Sequence, residues 1–144
     1  MNTEKNKSNF QFQEPRLVES IFIENPNYKG KFQEINTLNL GLRYSTSAPK
    51  KVNKNNDMES MSQLTVMSSE KMNLDDNTPC YLRVTMRAKF KWNSKDFSEE
   101  TAKQLMQVNA PSLLLSYIRP NVVNLTENSD IPTQHIPFVN FVNE

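Results

Sequence analysis

The sequence predicts an α+β domain in which a four-stranded antiparallel sheet carries C-terminal helices packed on one face. The clearest indication is a regular alternation of apolar and polar residues from Tyr81 to Trp92, which is typical of a strand with one buried face. The longest apolar cluster, between Ala110 and Leu125, has helical spacing instead. Because the strand signals precede the helix signals, an antiparallel sheet with helices gathered on one side is favoured.

Length and composition set the outer limits of the interpretation. A chain of 144 residues has the size of one domain, and we divide it into a flexible N-terminal arm, residues 1–12, and a single domain, residues 13–144. The net charge of +1 does not indicate nucleic acid or an acidic substrate. A single cysteine excludes an internal disulfide, and the polar N-terminus has no signal-peptide core. No apolar run approaches the ~18 residues of a membrane span, so we expect a soluble cytoplasmic protein.

The first strand is predicted over Arg16–Glu24, where β-branched residues are frequent. Simple alternation places Leu17, Ile21 and Ile23 on one of its faces. The sequence Asn25-Pro-Asn27 then ends the strand, because proline restricts φ and asparagine tolerates turn geometry.

A polar loop with three apolar side chains follows this strand. Tyr28, Phe32 and Ile35 need a surface to contact, because apolar side chains in a polar loop are otherwise exposed to water. They either cover the sheet and join the core or bind a partner, and both roles can hold together if the loop is mobile.

Three further strands are predicted after the loop. From Leu38 to Tyr44, apolar residues alternate with polar ones, which indicates a second strand. A lysine-rich turn region, 45–57, separates it from a shorter and weaker strand signal at 63–69. An acidic turn, 73–79, leads into the fourth strand, Tyr81–Trp92.

Two helices are expected after the strands. Ser98 is a favourable N-cap, and the two glutamates that follow it suit the positive end of a helix that ends near Asn109. Pro111 fits the first turn of the second helix, where its missing N–H costs little. Pro120 lies inside this helix, where proline costs about 3 kcal/mol, so we expect a kink near Ser116.

The sequence offers no constellation of catalytic residues. His135 is the only histidine and has prolines nearby, which favours a surface or packing role over that of a general base. Cys80 follows Pro79 without a preceding basic cluster, which favours a structural thiol over a nucleophile. Two glycines cannot form a glycine-rich phosphate loop. We therefore predict that the protein is not an enzyme and uses no cofactor or metal.

Three separate stretches resemble the SecB family of protein-export chaperones. They are Glu24-Asn-Pro-Asn27 with Phe32-Gln33, then Asn109-Ala-Pro-Ser-Leu-Leu-Leu-Ser-Tyr-Ile-Arg119, and finally Ile136-Pro-Phe-Val-Asn-Phe141. They look like that family's first strand and crossover loop, its first long helix, and the segment leading into its last helix. Their order makes the resemblance fairly specific from about Arg16 to Phe141.

The resemblance implies a homotetramer, built as a dimer of dimers, that holds unfolded polypeptides or preproteins in apolar grooves for protein export or proteostasis. We assign client binding to apolar residues of the crossover loop, the second strand and the long helix: Tyr28, Phe32, Ile35, Leu38, Leu40, Leu114 and Ile118. Docking of a partner protein is assigned to Glu24, Arg83, Arg87 and Lys89.

The sequence departs from the family on the face that docks the SecA motor. That face is acidic in the family, and Glu24 matches one of its acids, but Ser20 stands where another is expected. The polar side of the fourth strand carries a basic strip, which we define as Arg83, Arg87, Lys89 and Lys91. This strip favours a dedicated chaperone of one client, such as an antitoxin, over handover to SecA. A nucleic-acid-binding module is the alternative, although charged side chains on the outer face of a strand usually only form its solvent-exposed surface.

Overall fold

The structure is a computed structural model that describes residues 10–142. Its strands are β1 (Gln11–Phe12), β2 (Arg16–Glu24), β3 (Gly41–Thr46), β4 (Lys50–Lys51), β5 (Asp57–Met67) and β6 (Cys80–Asn93). A 3₁₀ turn at Phe32–Glu34 lies between β2 and β3. The helical region comprises α1 (Glu99–Gln104), a π-helical turn (Leu105–Asn109) and α2 (Ala110–Glu127).

The six strands form one antiparallel sheet that is only four strands wide. β6 is central, with β5 along one side and β1 and β2 in series along the other. β3 and β4 follow each other along the remaining side of β5. The predicted α+β class, with helices on one face of an antiparallel sheet, is confirmed, and the sheet contains six strands where four were expected.

The hydrophobic core lies between α2 and the inner face of the sheet. Leu82, Val84 and the following alternate residues of β6 are buried there, as the alternation predicts, but Tyr81 and Thr85 of the face expected to be solvated are buried too. Leu114, Ile118 and Val122 of α2 are fully buried against the inner face. Burying an aliphatic side chain of this size contributes about 1.5–3 kcal/mol, so this layer is the main source of stability.

A β-bulge in β2 changes the faces expected from alternation. The register shifts between Leu17 and Glu19, which leaves Val18 as the extra residue. Leu17 consequently pairs with Met86 of the inner face, whereas Ile21 pairs with Arg83 of the outer face. The expected common face of Leu17 and Ile21 is therefore wrong, because one inserted residue inverts the alternation.

The N-terminal arm contributes to the sheet as far as the structure describes it. The expectation of flexibility falls on residues 1–9, which lie outside the described residues, and on residues 10–12, for which it stays a prediction. Gln11 and Phe12 pair with Lys91 and Phe90. The ring of Phe10 stacks on Trp92 with 5.3 Å between centroids.

The second and third predicted strands have different limits in the structure. β3 begins at Gly41, so Leu38 and Leu40 belong to the preceding loop. β5 extends over Asp57–Met67 because it pairs with β6 along its whole length, beyond the weak signal at 63–69. Within the lysine-rich region, Asn56 has φ 69°, a left-handed conformation that asparagine tolerates in turns.

The helical region contains one irregular turn. The predicted cap at Ser98 is confirmed, since its Oγ accepts a hydrogen bond from the Thr101 N–H at 3.1 Å. α2 is helical from Ala110 to Glu127 and includes Ser116 and Pro120, and the kink expected near Ser116 stays a prediction. The irregular turn is the π-helical turn Leu105–Asn109, which comes directly before α2.

A single buried glutamine connects the crossover loop, α2 and the segment after it. Gln134 is 2% exposed, and its Oε1 accepts a hydrogen bond from the Leu38 N–H at 2.8 Å. Its Nε2 donates to the Pro132 carbonyl at 2.8 Å. The backbone N–H of Gln134 donates to Thr126 Oγ1, 2.9 Å away near the end of α2. We call residues 131–142 the tail; it contains neither helix nor strand, so this cluster of bonds anchors its first residues.

We predict that Gln134→Ala lowers the free energy of unfolding by about 1–3 kcal/mol, because it leaves the buried Leu38 N–H without an acceptor. Chemical denaturation would measure the loss. Gln33→Ala is the control. It removes an exposed glutamine from the crossover loop, which also contains Leu38, and should change the free energy of unfolding by less than about 0.5 kcal/mol. Equal effects of the two substitutions would contradict the anchoring role of Gln134.

Candidate functional site

An open groove lies between β3, the π-helical turn and the tail. Its larger part has a volume of about 720 Å³, and none of its lining residues is charged. A smaller part of about 330 Å³ continues toward the crossover loop and shares Leu42 and Val139 with the larger part. We call these two parts the apolar groove; its principal lining residues are Leu38, Leu40, Leu42, Tyr44, Val108 and Val139, and two uncharged polar residues, Gln104 and Gln107, also line the larger part.

One wall of the apolar groove is held by a hydrogen bond that the π-helical turn makes available. The Ala110 N–H donates to the Leu105 carbonyl rather than to that of Met106. The next residue, Pro111, has no N–H to offer. The Met106 carbonyl therefore lacks a helical donor, and the hydroxyl of Tyr44 on β3 donates to it.

Tyr44 is suited to this bridging role. Its ring is half-buried, and burial raises the pKa of the phenol above its usual value, so the hydroxyl stays protonated at neutral pH. Ser62 Oγ on β5 lies 2.9 Å from the Tyr44 hydroxyl. The bridge thus joins the sheet edge to the helical layer along one wall of the apolar groove.

The tail forms the opposite wall. Val139 and Phe141 are partly buried and pack against the core, whereas Phe138, directly before Val139, is 85% exposed. Arg119 Nη2 of α2 donates to the Pro137 carbonyl at 3.1 Å. Since the tail has no strand pairing, this bond and the packing of alternate apolar side chains hold it in place.

The predicted client-binding residues of the loop occupy three positions. Leu38 and Leu40 line the smaller part of the apolar groove. Ile35 lines an adjacent cavity of about 370 Å³ that also reaches Leu38. The rings of Tyr28 and Phe32 contact each other with centroids 5.2 Å apart. Phe32 and Ile35 also pack against the small buried cluster Leu38, Cys80 and Ile131, so they cover part of the sheet.

The structure does not bring the predicted residues of the long helix to the groove. Leu114 and Ile118 are fully buried in the core, on the side of α2 that packs against the sheet. The groove uses Val108, Val139 and Phe141 instead. Sequence reasoning identified the stretch that contains Val139 and Phe141 only through the family resemblance, because a structureless tail has no periodicity that could reveal its contacts.

Two of the predicted partner-docking residues are engaged within the chain. Glu24 Oε1 accepts a hydrogen bond from the Asp130 N–H at 2.6 Å. Arg83 Nε donates to Glu19 Oε1 at 2.5 Å, and this hydrogen bond lowers the pKa of the Glu19 carboxyl. Their side chains are thus occupied by internal contacts.

The other two docking residues differ from each other. Lys89 Nζ lies 3.9 Å from Glu59 Oε1, a long ion pair on the outer face. Arg87 is exposed and lies opposite Arg16 in the register of β2 and β6. The basic strip is therefore partly compensated by acids from neighbouring strands.

Cys80 and His135 are the two side chains that the sequence analysis considered for catalysis. The Cys80 thiol is buried, and burial together with the charge of Glu24 raises its pKa to about 11, so it is neutral at pH 7. His135 lines the smaller part of the apolar groove. Within residues 10–142, no three histidine, cysteine, aspartate or glutamate side chains cluster as metal ligands would. In the same range, no helix has the length and apolar character needed to cross a membrane.

Comparison with solved structures identifies the architecture. The chain is similar to a SecB-like chaperone of Mycobacterium tuberculosis in complex with a ChAD peptide from the HigA1 antitoxin, with TM-score 0.52 and 15% identity over 91% of each chain. The fold is SecB-like. A protein of unknown function from Streptococcus agalactiae also matches, with TM-score 0.49 and 10% identity over 90% of this chain and 97% of that one. No family model matches the sequence, and the comparison with curated proteins finds no match.

We predict that Tyr44→Phe lowers the free energy of unfolding by about 1–3 kcal/mol, because it leaves the Met106 carbonyl without a donor. Chemical denaturation would measure this loss. Tyr117→Phe removes the hydroxyl of an exposed tyrosine on α2 and should have little effect. If the two substitutions cost the same, the bridge between β3 and the π-helical turn is not a stabilising contact.

Proposed function

We propose that the protein is a SecB-like chaperone of the cytoplasm that holds non-native polypeptides by binding their extended apolar segments in the apolar groove. The observation that carries this proposal is an open, uncharged groove at the edge of a SecB-like sheet. The complex of the similar Mycobacterium tuberculosis chaperone with an antitoxin peptide supports a polypeptide as the ligand.

The chemistry of the groove suits an unfolded client. A lining without charge selects apolar side chains by burial rather than by specific pairing, so many sequences can bind. β3 is an edge strand in the described sheet, with β5 on one side only. Its outer backbone groups can therefore pair with an extended client, while alternate client side chains enter the groove.

Affinity at one groove should be modest. Three client side chains buried at about 1.5–3 kcal/mol each, reduced by the cost of ordering the client, give roughly millimolar to micromolar binding. Several grooves on one oligomer would hold one unfolded client more tightly, because the second contact is intramolecular. Oligomerisation would thus strengthen holding without new contacts.

The other edge of the sheet supports assembly into the proposed homotetramer, a dimer of dimers. Phe12 of β1 is 45% exposed, and Leu17 and Val18 of β2 are 52% and 44% exposed. An edge strand with apolar side chains tends to pair with another chain. We propose that this edge contributes to the contact between copies of the chain.

The proposed chaperone function leaves two client ranges to distinguish, many unrelated preproteins or one dedicated client. A general chaperone for export would hold many unrelated preproteins and pass them to SecA, whereas a dedicated chaperone would hold one client, such as an antitoxin. We favour the dedicated role, because Glu24, the one acid that matches the SecA-docking face, accepts the Asp130 N–H. A panel of unrelated unfolded proteins would separate the two roles. The nucleic-acid alternative loses support, because Arg83 and Lys89 pair with acids.

We predict that Leu42→Asp reduces the affinity for unfolded clients at least tenfold, because a client would have to desolvate a carboxylate inside the apolar groove. Leu42 is 37% exposed and borders both parts of the groove, so the fold should tolerate the change. Val52→Asp is the matched control, since Val52 is 43% exposed and does not line the groove. Suppression of client aggregation and thermal melting would be measured together. Equal suppression by both variants would contradict the site.

We predict a homotetramer at micromolar concentration, and light scattering should give four times the mass of the chain. Leu17→Lys should reduce the mass, because it places a charge on the apolar β1–β2 edge. Lys95→Ala, at an exposed position in the loop after β6, is the control and should leave the mass unchanged. A wild-type monomer at this concentration would count against the proposed assembly.

A further inference from the structure

The outer face of the sheet, opposite α2, carries an open depression of about 510 Å³ beside the junction of β1 and β2. We call it the basic depression; its lining residues include Gln13, Glu14, Arg16, Met61, Arg87 and Lys89. The register places Arg16 opposite Arg87 and Met61 opposite Lys89. The basic depression and the apolar groove therefore use different surfaces of the molecule.

The charges of this face are compensated unevenly. Arg83 is paired with Glu19, and Lys89 lies 3.9 Å from Glu59. Arg16 and Arg87 are both exposed, and no carboxylate in residues 10–142 lies within ion-pair distance of either. Like charges directly opposite each other on neighbouring strands destabilise a sheet. This pair consequently costs stability in the isolated chain, and an anionic partner would remove that cost.

We propose that the basic depression docks an acidic segment of a partner polypeptide. Carboxylates match the planar guanidinium groups of Arg16 and Arg87, which can each donate two parallel hydrogen bonds. Met61 is half-buried in the same depression and can contact an apolar side chain between the acids. Charge complementarity and this apolar contact together define the partner as acidic and partly apolar.

The surroundings favour a polypeptide over a nucleic acid. Glu14 lines the basic depression, and Glu19 and Glu59 lie on the same outer face beside it. Nonspecific nucleic-acid binding depends on many phosphate contacts, and two uncompensated arginines bordered by acids provide few. Tyr81 of the same face is 6% exposed, so its ring is not available for base stacking.

The proposal is independent of the client-binding role, because the two sites lie on opposite faces of the sheet. A partner bound at the basic depression leaves the apolar groove open. Leu42→Asp should therefore leave binding of an acidic peptide unchanged, which separates failure of this proposal from failure of the proposed chaperone function.

The test uses the full chain and a short fluorescein-labelled peptide of alternating glutamate and leucine, with fluorescence anisotropy at low salt. Arg87→Gln should weaken binding about tenfold, and the double change Arg16→Gln with Arg87→Gln should weaken it further. Arg43→Gln is the matched control, because Arg43 lies on the same face and is paired with Glu70. It alters the net charge equally and should change affinity by less than about twofold.

Two further measurements complete the test. Without peptide, Arg87→Gln should keep or raise the melting temperature, because it removes a like-charge contact; a lower melting temperature would overturn the premise that Arg87 is unpaired. No binding at low salt, or equal weakening by Arg43→Gln, would overturn the docking site. Tighter binding of single-stranded DNA than of the peptide at matched charge would overturn the choice of a polypeptide partner.

Discussion

The missing N–H of Pro111 determines how the helical layer meets the edge of the sheet. Because the Ala110 N–H bonds to the Leu105 carbonyl, the Met106 carbonyl has no donor within the helix and needs one from another element. Tyr44 supplies it from β3. The π-helical turn thus leaves a backbone carbonyl free to form a tertiary hydrogen bond with Tyr44. This bond lies at the border of the groove between β3 and the helices.

The second constraint acts at the other end of the apolar groove. Gln134 satisfies the Leu38 N–H, and Thr126 of α2 accepts the Gln134 N–H. The crossover loop and the tail, which lack regular structure, are thus tied to the end of the longest helix. Tyr44 and Gln134 thus hold the two ends of the apolar groove in position.

The two faces of the sheet are built on different physical principles. The inner face is apolar and stabilised by packing against α2, where Leu114 and Ile118 are fully buried. The outer face mixes polar and apolar side chains, and some of its charged residues pair across strands, as between Glu19 of β2 and Arg83 of β6. At Arg16 and Arg87 the pairing fails, because the bulge at Val18 sets a register in which two cations face each other. The same bulge moves Leu17 to the inner-face register.

The sequence by itself determined the α+β class, the central strand and the helix cap at Ser98, because these depend on local periodicity and local hydrogen bonding. It also pointed to Leu38 and Leu40, which do line the apolar groove. The tertiary structure alone decided that Glu24 binds the Asp130 N–H, that Arg83 is paired with Glu19, and that Val108 and Phe141 line the same groove. Such contacts join residues far apart in the chain, and their geometry follows from strand register, from one bulge and from the position of one π-helical turn. If the register, the bulge or the π-helical turn moved by one residue, different side chains would come into contact, and no local sequence pattern specifies that position.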